Sequence, residues 1–267
     1  MRKFLTLISI AIFAILSCSK EDEVAVNPVE SPILIKSIVT TSNTGIVTTS
    51  NYSYDGNKLA QVLSGTTKQV YTYNGNLITK LEIFKADVLD TRFVFVYNDN
   101  KITGSTFSYT FPFQNNQTTT TVNAVIRSVY IYNNDGTILI RRFETNDIPN
   151  NVETENESRL LTYLNGNLLK RIESFNLSPF NNTTFEYDNK NSYYKNILGF
   201  DKLMQNDFSV NNNIKSTQII TRIINGQNII TTDIFTYEYT YAENNFPINV
   251  KELKNSITVS TSKFSYY

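Results

Sequence analysis

The sequence predicts an all-β fold, and three observations carry that prediction. A short phrase recurs along most of the chain: an aromatic residue, any residue, a second aromatic, an Asn/Asp/Gly turn, then a strand with apolar residues. Five of the nine glycines (Gly56, Gly75, Gly136, Gly166 and Gly226) directly follow Asp or Asn, the pairs that best tolerate the positive φ of a tight hairpin turn. Between the phrases lie threonine-rich runs such as Thr118 to Thr121 and Thr231-Thr232, and β-branched threonine suits a half-exposed pleated surface.

Taken in order, the chain opens with Arg2 and Lys3, followed by an apolar run from Phe4 to Leu16. That run is shorter than the roughly 20 residues of a spanning helix, so residues 1–17 read as a cleaved export signal. Residues 18–32 contain the acidic stretch Glu21-Asp22-Glu23 and the prolines Pro28 and Pro32, the composition of an extended tether. A single β domain is expected over 33–267. Its clearest phrases run Tyr52 to Leu59, Tyr71 to Ile78 and Phe95 to Ile102, with looser copies at Tyr130, Tyr163, Phe185, Phe208 and Tyr239. With Asp55-Gly56 as a turn, Tyr54 faces Asn57 and Tyr52 faces Leu59; Tyr71 likewise faces Ile78. Val62 and Leu81 then fall on the opposite face unless a bulge intervenes. The units add up to roughly 14 to 16 strands, more than an open twisted sheet holds without curling or splitting. The expected architecture is therefore a long antiparallel meander of repeated hairpins, curled or two-layered. One short helix is expected between Ser192 and Asp207, where Tyr194, Ile197, Leu198 and Leu203 approach helical spacing behind Ser192 as a cap.

Composition excludes several functions. The 24 basic and 24 acidic residues become 22 and 24, a net charge of −2, once Arg2 and Lys3 leave with residues 1–17. That balance argues against nucleic acid, which calls for a basic stripe. There is no histidine, and Cys18 is the one cysteine. Ser-His-Asp and Cys-His catalysis, zinc sites built on His or Cys, and disulfide frameworks are excluded with them.

Glycosidases need only two carboxylates, which makes Glu153, Glu155 and Glu157, alternating on one strand face, the first candidates, followed by Glu186 with Asp188 and Glu238 with Glu243. Solvated loop charge and turn capping explain these better. Asn133 to Gly136 and Asp188 to Asn191 are oxygen-rich enough to suggest calcium, but they lack the full ligand ladder and read as turns. Tyr237, Tyr239 and Tyr241 share one face and could stack on sugar rings, although cross-strand packing explains the same spacing in every repeat. The Asn-x-Ser/Thr matches at Asn51 and Asn182 read as incidental. No catalytic residue, metal or cofactor is expected.

Leu16-Ser17-Cys18 resembles the lipobox of bacterial lipoproteins, which implies diacylglycerol on the Cys18 thiol, cleavage before it and palmitate-type acylation. Ser19 to Glu23 resembles the acidic surface-export signal of Bacteroidetes-type lipoproteins, which implies display at the outer membrane toward the cell exterior. The Tyr-x-Tyr-Asp-Gly-Asn-Lys-Leu wording resembles the YD repeats of Rhs-type shell proteins, over about Ile33 to Tyr267. It lacks their near-constant Gly-Arg-Leu continuation, so no closed toxin-enclosing shell is implied.

The resulting expectation is a membrane-anchored, non-enzymatic module that binds or displays to an extracellular glycan or protein. A carboxylate-dependent glycan hydrolase and a structural envelope component are the alternatives. The last strand argues against a membrane-spanning barrel, since Ser265, Lys263 and Thr261 are polar where a lipid-facing row is apolar.

Overall fold

A computed structural model describes residues 32–115, 118–146, 153–175, 178–203 and 208–267. The expected signal, Cys18 and the tether as far as Ser31 lie outside the described residues. The described chain forms β1 (Ile35–Ser42), β2 (Val47–Asp55), β3 (Lys58–Ser64), β4 (Thr67–Asn74), β5 (Leu77–Lys85), β6 (Val88–Asn98), β7 (Lys101–Asn115) and β8 (Thr118–Tyr132). It continues with β9 (Thr137–Asn146), β10 (Thr154–Leu164), β11 (Asn167–Phe175), β12 (Ser178–Tyr187), β13 (Asn213–Ile224), β14 (Gln227–Tyr241), β15 (Pro247–Lys254) and β16 (Ile257–Tyr266).

Each strand pairs antiparallel with the next, and β16 pairs with β1 to close a barrel. The all-β antiparallel expectation holds, while the open, curled or two-layer meander is corrected. An open sheet of this length leaves two edges of unpaired backbone, and closure removes both. The seam is made by small polar side chains, with Ser37 Oγ and Thr40 Oγ1 each 2.8 Å from the hydroxyls of Ser265 and Ser262.

The helix expected from Ser192 to Asp207 is also corrected. The chain makes successive turns and one 3₁₀ turn, Phe200–Lys202, because Gly199 at φ +80° breaks the helical run. Residues 204–207 lie outside the described residues.

The hairpin register differs from expectation by one step, for a local reason. In β2–β3 the two central turn residues are Gly56 and Asn57, since Asp55 pairs with Lys58; φ is positive at Gly56 alone, the type II′ pattern. Tyr54 therefore faces Leu59 rather than Asn57, and a register shift at Ala60 brings Tyr52 opposite Val62. The same slip in β4–β5 pairs Tyr73 with Ile78 and Tyr71 with Leu81. The bulge keeps both apolar residues of each strand inside: Leu59 and Ile78 are fully buried and Val62 and Leu81 nearly so.

Five of the bulges are matched by a tyrosine hydroxyl. Tyr54, Tyr97, Tyr187 and Tyr266 donate their hydroxyls at 2.7–2.8 Å to the carbonyls of Ile35, Ile78, Leu168 and Pro247, each 19 residues back. Tyr132 donates to Ile102 at 3.0 Å. All these acceptors sit beside register shifts. A bulge disrupts the ladder locally, and a buried carbonyl needs a partner. The second tyrosine of the phrase supplies it, so the repeat period of the sequence is the strand-pair period of the barrel floor.

Candidate functional site

Register places many of the aromatic residues inside. Tyr52, Tyr71, Phe93, Phe95, Tyr130 and Phe185 all share the inward phase of their strands. A sixteen-stranded barrel is wide enough to leave an aqueous channel. Here the stretch between β12 and β13 fills the space at one end, the floor. Ile197, Phe200 and Leu203 are buried, and Phe200 packs 5.8 Å from the ring of Tyr71 and 5.2 Å from that of Tyr194.

Hydrogen bonds fix this internal segment to the turns around it. Leu198 N–H donates to Asn57 O at 3.0 Å, and Tyr73 Oη donates to Leu198 O at 3.1 Å. Asn196 Nδ2 donates to Ile33 O at 2.9 Å. Asp188 anchors the entry to the segment by accepting from Lys190 N and Asn212 N, and Tyr241 Oη donates to it as well.

Two lumenal cavities flank the segment, with Tyr194 bordering both. The larger, about 470 Å³, lies against β11–β14 and is walled by Phe185, Phe235, Tyr237 and Tyr239, with Arg171, Ser216 and Gln218 among its polar lining. The smaller, about 300 Å³, lies against β2–β4 between Tyr52, Val62, Gln69 and Tyr71. Beside the larger cavity an alternating charge ladder climbs the inner wall. Arg142 and Arg159 (2.8 Å) hold Glu157; Arg159 (3.2 Å) and Arg171 (3.7 Å) approach Glu173, which also accepts from Asn181 Nδ2 at 2.5 Å.

The glutamate trio is not one surface. A register shift between Glu155 and Glu157 puts them on opposite faces. Glu155 and Glu153 pair outside with Arg141 and Arg127 (2.8 Å), while Glu157 joins the inner ladder. Hydrogen bonding from Arg127 holds the carboxyl of Glu153 below the usual range. A glycosidase needs two carboxyls facing each other across the substrate, and a trio divided between the two faces of the wall does not supply them. Glu186 and Glu238 form outer-wall ion pairs with Lys215 and Lys251, at 2.7 and 3.2 Å. The oxygen-rich turns act as turns: Asp135 accepts from Thr137 N and Oγ1. Among the described residues no cluster of three metal-ligating side chains occurs.

Tyr237, Tyr239 and Tyr241 do share a face, but it is the lumenal one, opposite Glu252, Val250 and Pro247. Sequence reasoning missed Arg142, Arg159 and Arg171. Their signal is phase: each occupies an inward position of its strand, opposite Ser128, Ile140 and Leu161.

The outer wall mixes threonine, charge and aliphatic residues. Lys80 on the same strand and Arg92 across β5–β6 each reach Glu82 at 2.8 Å. Ser265, Lys263 and Thr261 face outward as their alternation indicated. One sector is apolar, where Ile131, Leu139, Leu160 and Ile172 form a continuous row over β8–β11.

No protein-family model matches the sequence, and no curated protein matches it either. Among solved structures, a porin-like protein from Bacteroides vulgatus ATCC 8482 is similar with a TM-score of 0.58 and 15% identity, over 88% of this chain and 99% of that one. A porin-like protein from Bacteroides uniformis ATCC 8492 gives 0.48 and 11% over the same shares. The first of these likenesses shows a common fold and no more.

That fold overturns the resemblance to YD-repeat shells and to β-repeat surface lipoproteins, and with it the lipoprotein and palmitate attributes. The Tyr-x-Tyr-turn wording encodes bulge-satisfying tyrosines of a closed barrel, like that of the porin-like structure. The expected partners are corrected likewise. In barrels of the porin class the wall, and no N-terminal lipid, meets the bilayer. The tyrosine row offered to an outside glycan or protein faces the lumen.

Proposed function

We propose that this chain is a non-enzymatic protein of the outer membrane, a porin-like barrel held shut by its own internal segment. One observation carries the reading: Ser192 to Leu203 occupies the floor of the lumen, with Ile197, Phe200 and Leu203 buried and Leu198 bonded in both directions to the wall. Outer-membrane placement is supported by the fold and by the export-signal character of residues 1–17. A non-enzymatic role is supported by the carboxylates Glu153, Glu155 and Glu157, all engaged by arginine. An open channel is the second reading, favoured by the closed ring of sixteen strands. The floor speaks for the sealed form, because Phe200 of the internal segment packs against the rings of Tyr71 and Tyr194 inside the ring of strands.

Planar-bilayer recording separates the two. The purified barrel, added to either side of a bilayer, is expected to give no stepwise conductance. Sustained open steps from the wild-type protein would overturn the sealed reading.

A further inference from the structure

The larger lumenal cavity differs in character from the rest of the interior. Its volume of about 470 Å³ falls within the range that holds a small organic ligand, about 300–1,000 Å³. Among its described lining residues the only charged side chain is Arg171; the remainder are aromatic, hydroxyl or amide. Phe185, Ser216 and Phe235 stand in one cross-strand row, with Tyr237 following on β14. The guanidinium of Arg171 lies 5.8 Å from the Phe185 ring centroid, with Glu173 3.7 Å from its Nε on the ladder side. That ladder, Arg142–Glu157–Arg159–Glu173–Arg171, reaches the cavity at Arg171.

Each feature selects one part of a ligand. A guanidinium fork matches a carboxylate in two parallel hydrogen bonds, and it does so more strongly away from bulk water. Flat aromatic walls favour a ring, by stacking and by apolar burial. Hydroxyl and amide groups fix orientation without adding charge.

We propose that this cavity binds small carboxylates with an aromatic or alicyclic body, Arg171 pairing with the carboxylate while Phe185, Phe235 and Tyr237 enclose the ring. The site goes beyond the sealed-barrel reading and depends on it in one respect, since Tyr193 and Tyr194 of the internal segment form part of its wall.

Isothermal titration of the full barrel with 2-naphthoate and with its neutral analogue 2-naphthylmethanol tests the assignment. The wild type is expected to bind the acid at least tenfold more tightly than the alcohol. Arg171→Gln is expected to remove that preference while leaving the alcohol unchanged. Ser216→Phe, which places a ring between Phe185 and Phe235, is expected to abolish binding of both. Equal binding of acid and alcohol by the wild type, no saturable binding of either, or an undiminished preference in folded Arg171→Gln overturns the site. If Arg171→Gln fails to fold, the wild-type preference and its loss in Ser216→Phe decide the matter alone. A barrel that does not conduct and shows no acid preference loses the site and keeps the sealed reading; one that conducts and prefers the acid does the reverse.

Discussion

At the floor of the barrel, tight turns carrying Asp, Asn and Gly stand in front of buried residues. Leu59, Ile78, Ile102 and Leu168 are all under 2% exposed, and tyrosine hydroxyls cap the bulges beside Ile78, Ile102 and Leu168. At the mouth, the β1–β2, β13–β14 and β15–β16 tips carry Ile46, Val47, Ile223, Ile224, Ile230 and Ile257, all more than half exposed. The same hairpin grammar thus yields two outcomes, decided by what lies behind the turn. Where the internal segment and the tyrosines pack, a hairpin end becomes core; where they do not, its apolar residues remain on the surface and contribute little to stability.

A matched pair of glycines compares the ends directly. Gly199 in the internal segment and Gly226 at the β13–β14 tip have nearly the same φ, +80° and +77°. A Cβ on Gly199 would lie 2.8 Å from Asn76 O, whereas one on Gly226 meets nothing within 4 Å. Gly226→Ala should therefore cost only the left-handed backbone penalty, about 1–2 kcal/mol. Gly199→Ala adds a backbone clash and should cost about 3–4 kcal/mol. Denaturation midpoints check the difference, and equal losses would remove the distinction between floor and mouth.

The legible part of this fold is the part written in side-chain type. Asp-Gly and Asn-Gly marked hairpin ends, and the tyrosine pairs marked one shared face. Closure was not legible, because the seam rests on Ser37, Thr40, Ser262 and Ser265, residues that read as ordinary edge polarity until the first strand meets the last. The bulges before Val62 and Leu81 were legible only as an alternative to a two-faced apolar strand, since nothing distinguishes Ala60 or Thr79 from other strand residues; the shift at Ala60 turns Val62 inward, and one between Glu155 and Glu157 divides the carboxylate set. The internal segment misled through spacing: Tyr194, Ile197 and Leu203 approach a helical period, but they face apolar neighbours through turns hinged at Gly199. Arg171 had only its inward phase as a local signal, and its meaning comes from Phe185 and Phe235 on strands that reach it only through the sheet.

The smallest effect tests whether one hydroxyl at the floor outweighs a whole side chain at the mouth. Tyr97→Phe removes the donor to Ile78 O, now bonded at 2.8 Å beside the bulge at Thr79, and keeps the ring. The carbonyl is then left in a buried setting without that partner, a loss of about 1–2 kcal/mol. Ile223→Ser deletes an entire aliphatic side chain, but one that is 74% exposed at the β13–β14 tip, so its cost should stay within about 0.5 kcal/mol. Paired urea titrations give the answer. If Ile223→Ser destabilised as much as Tyr97→Phe, the mouth isoleucines would have to be packed against a partner in solution, and the stability of the barrel would not be concentrated at its floor.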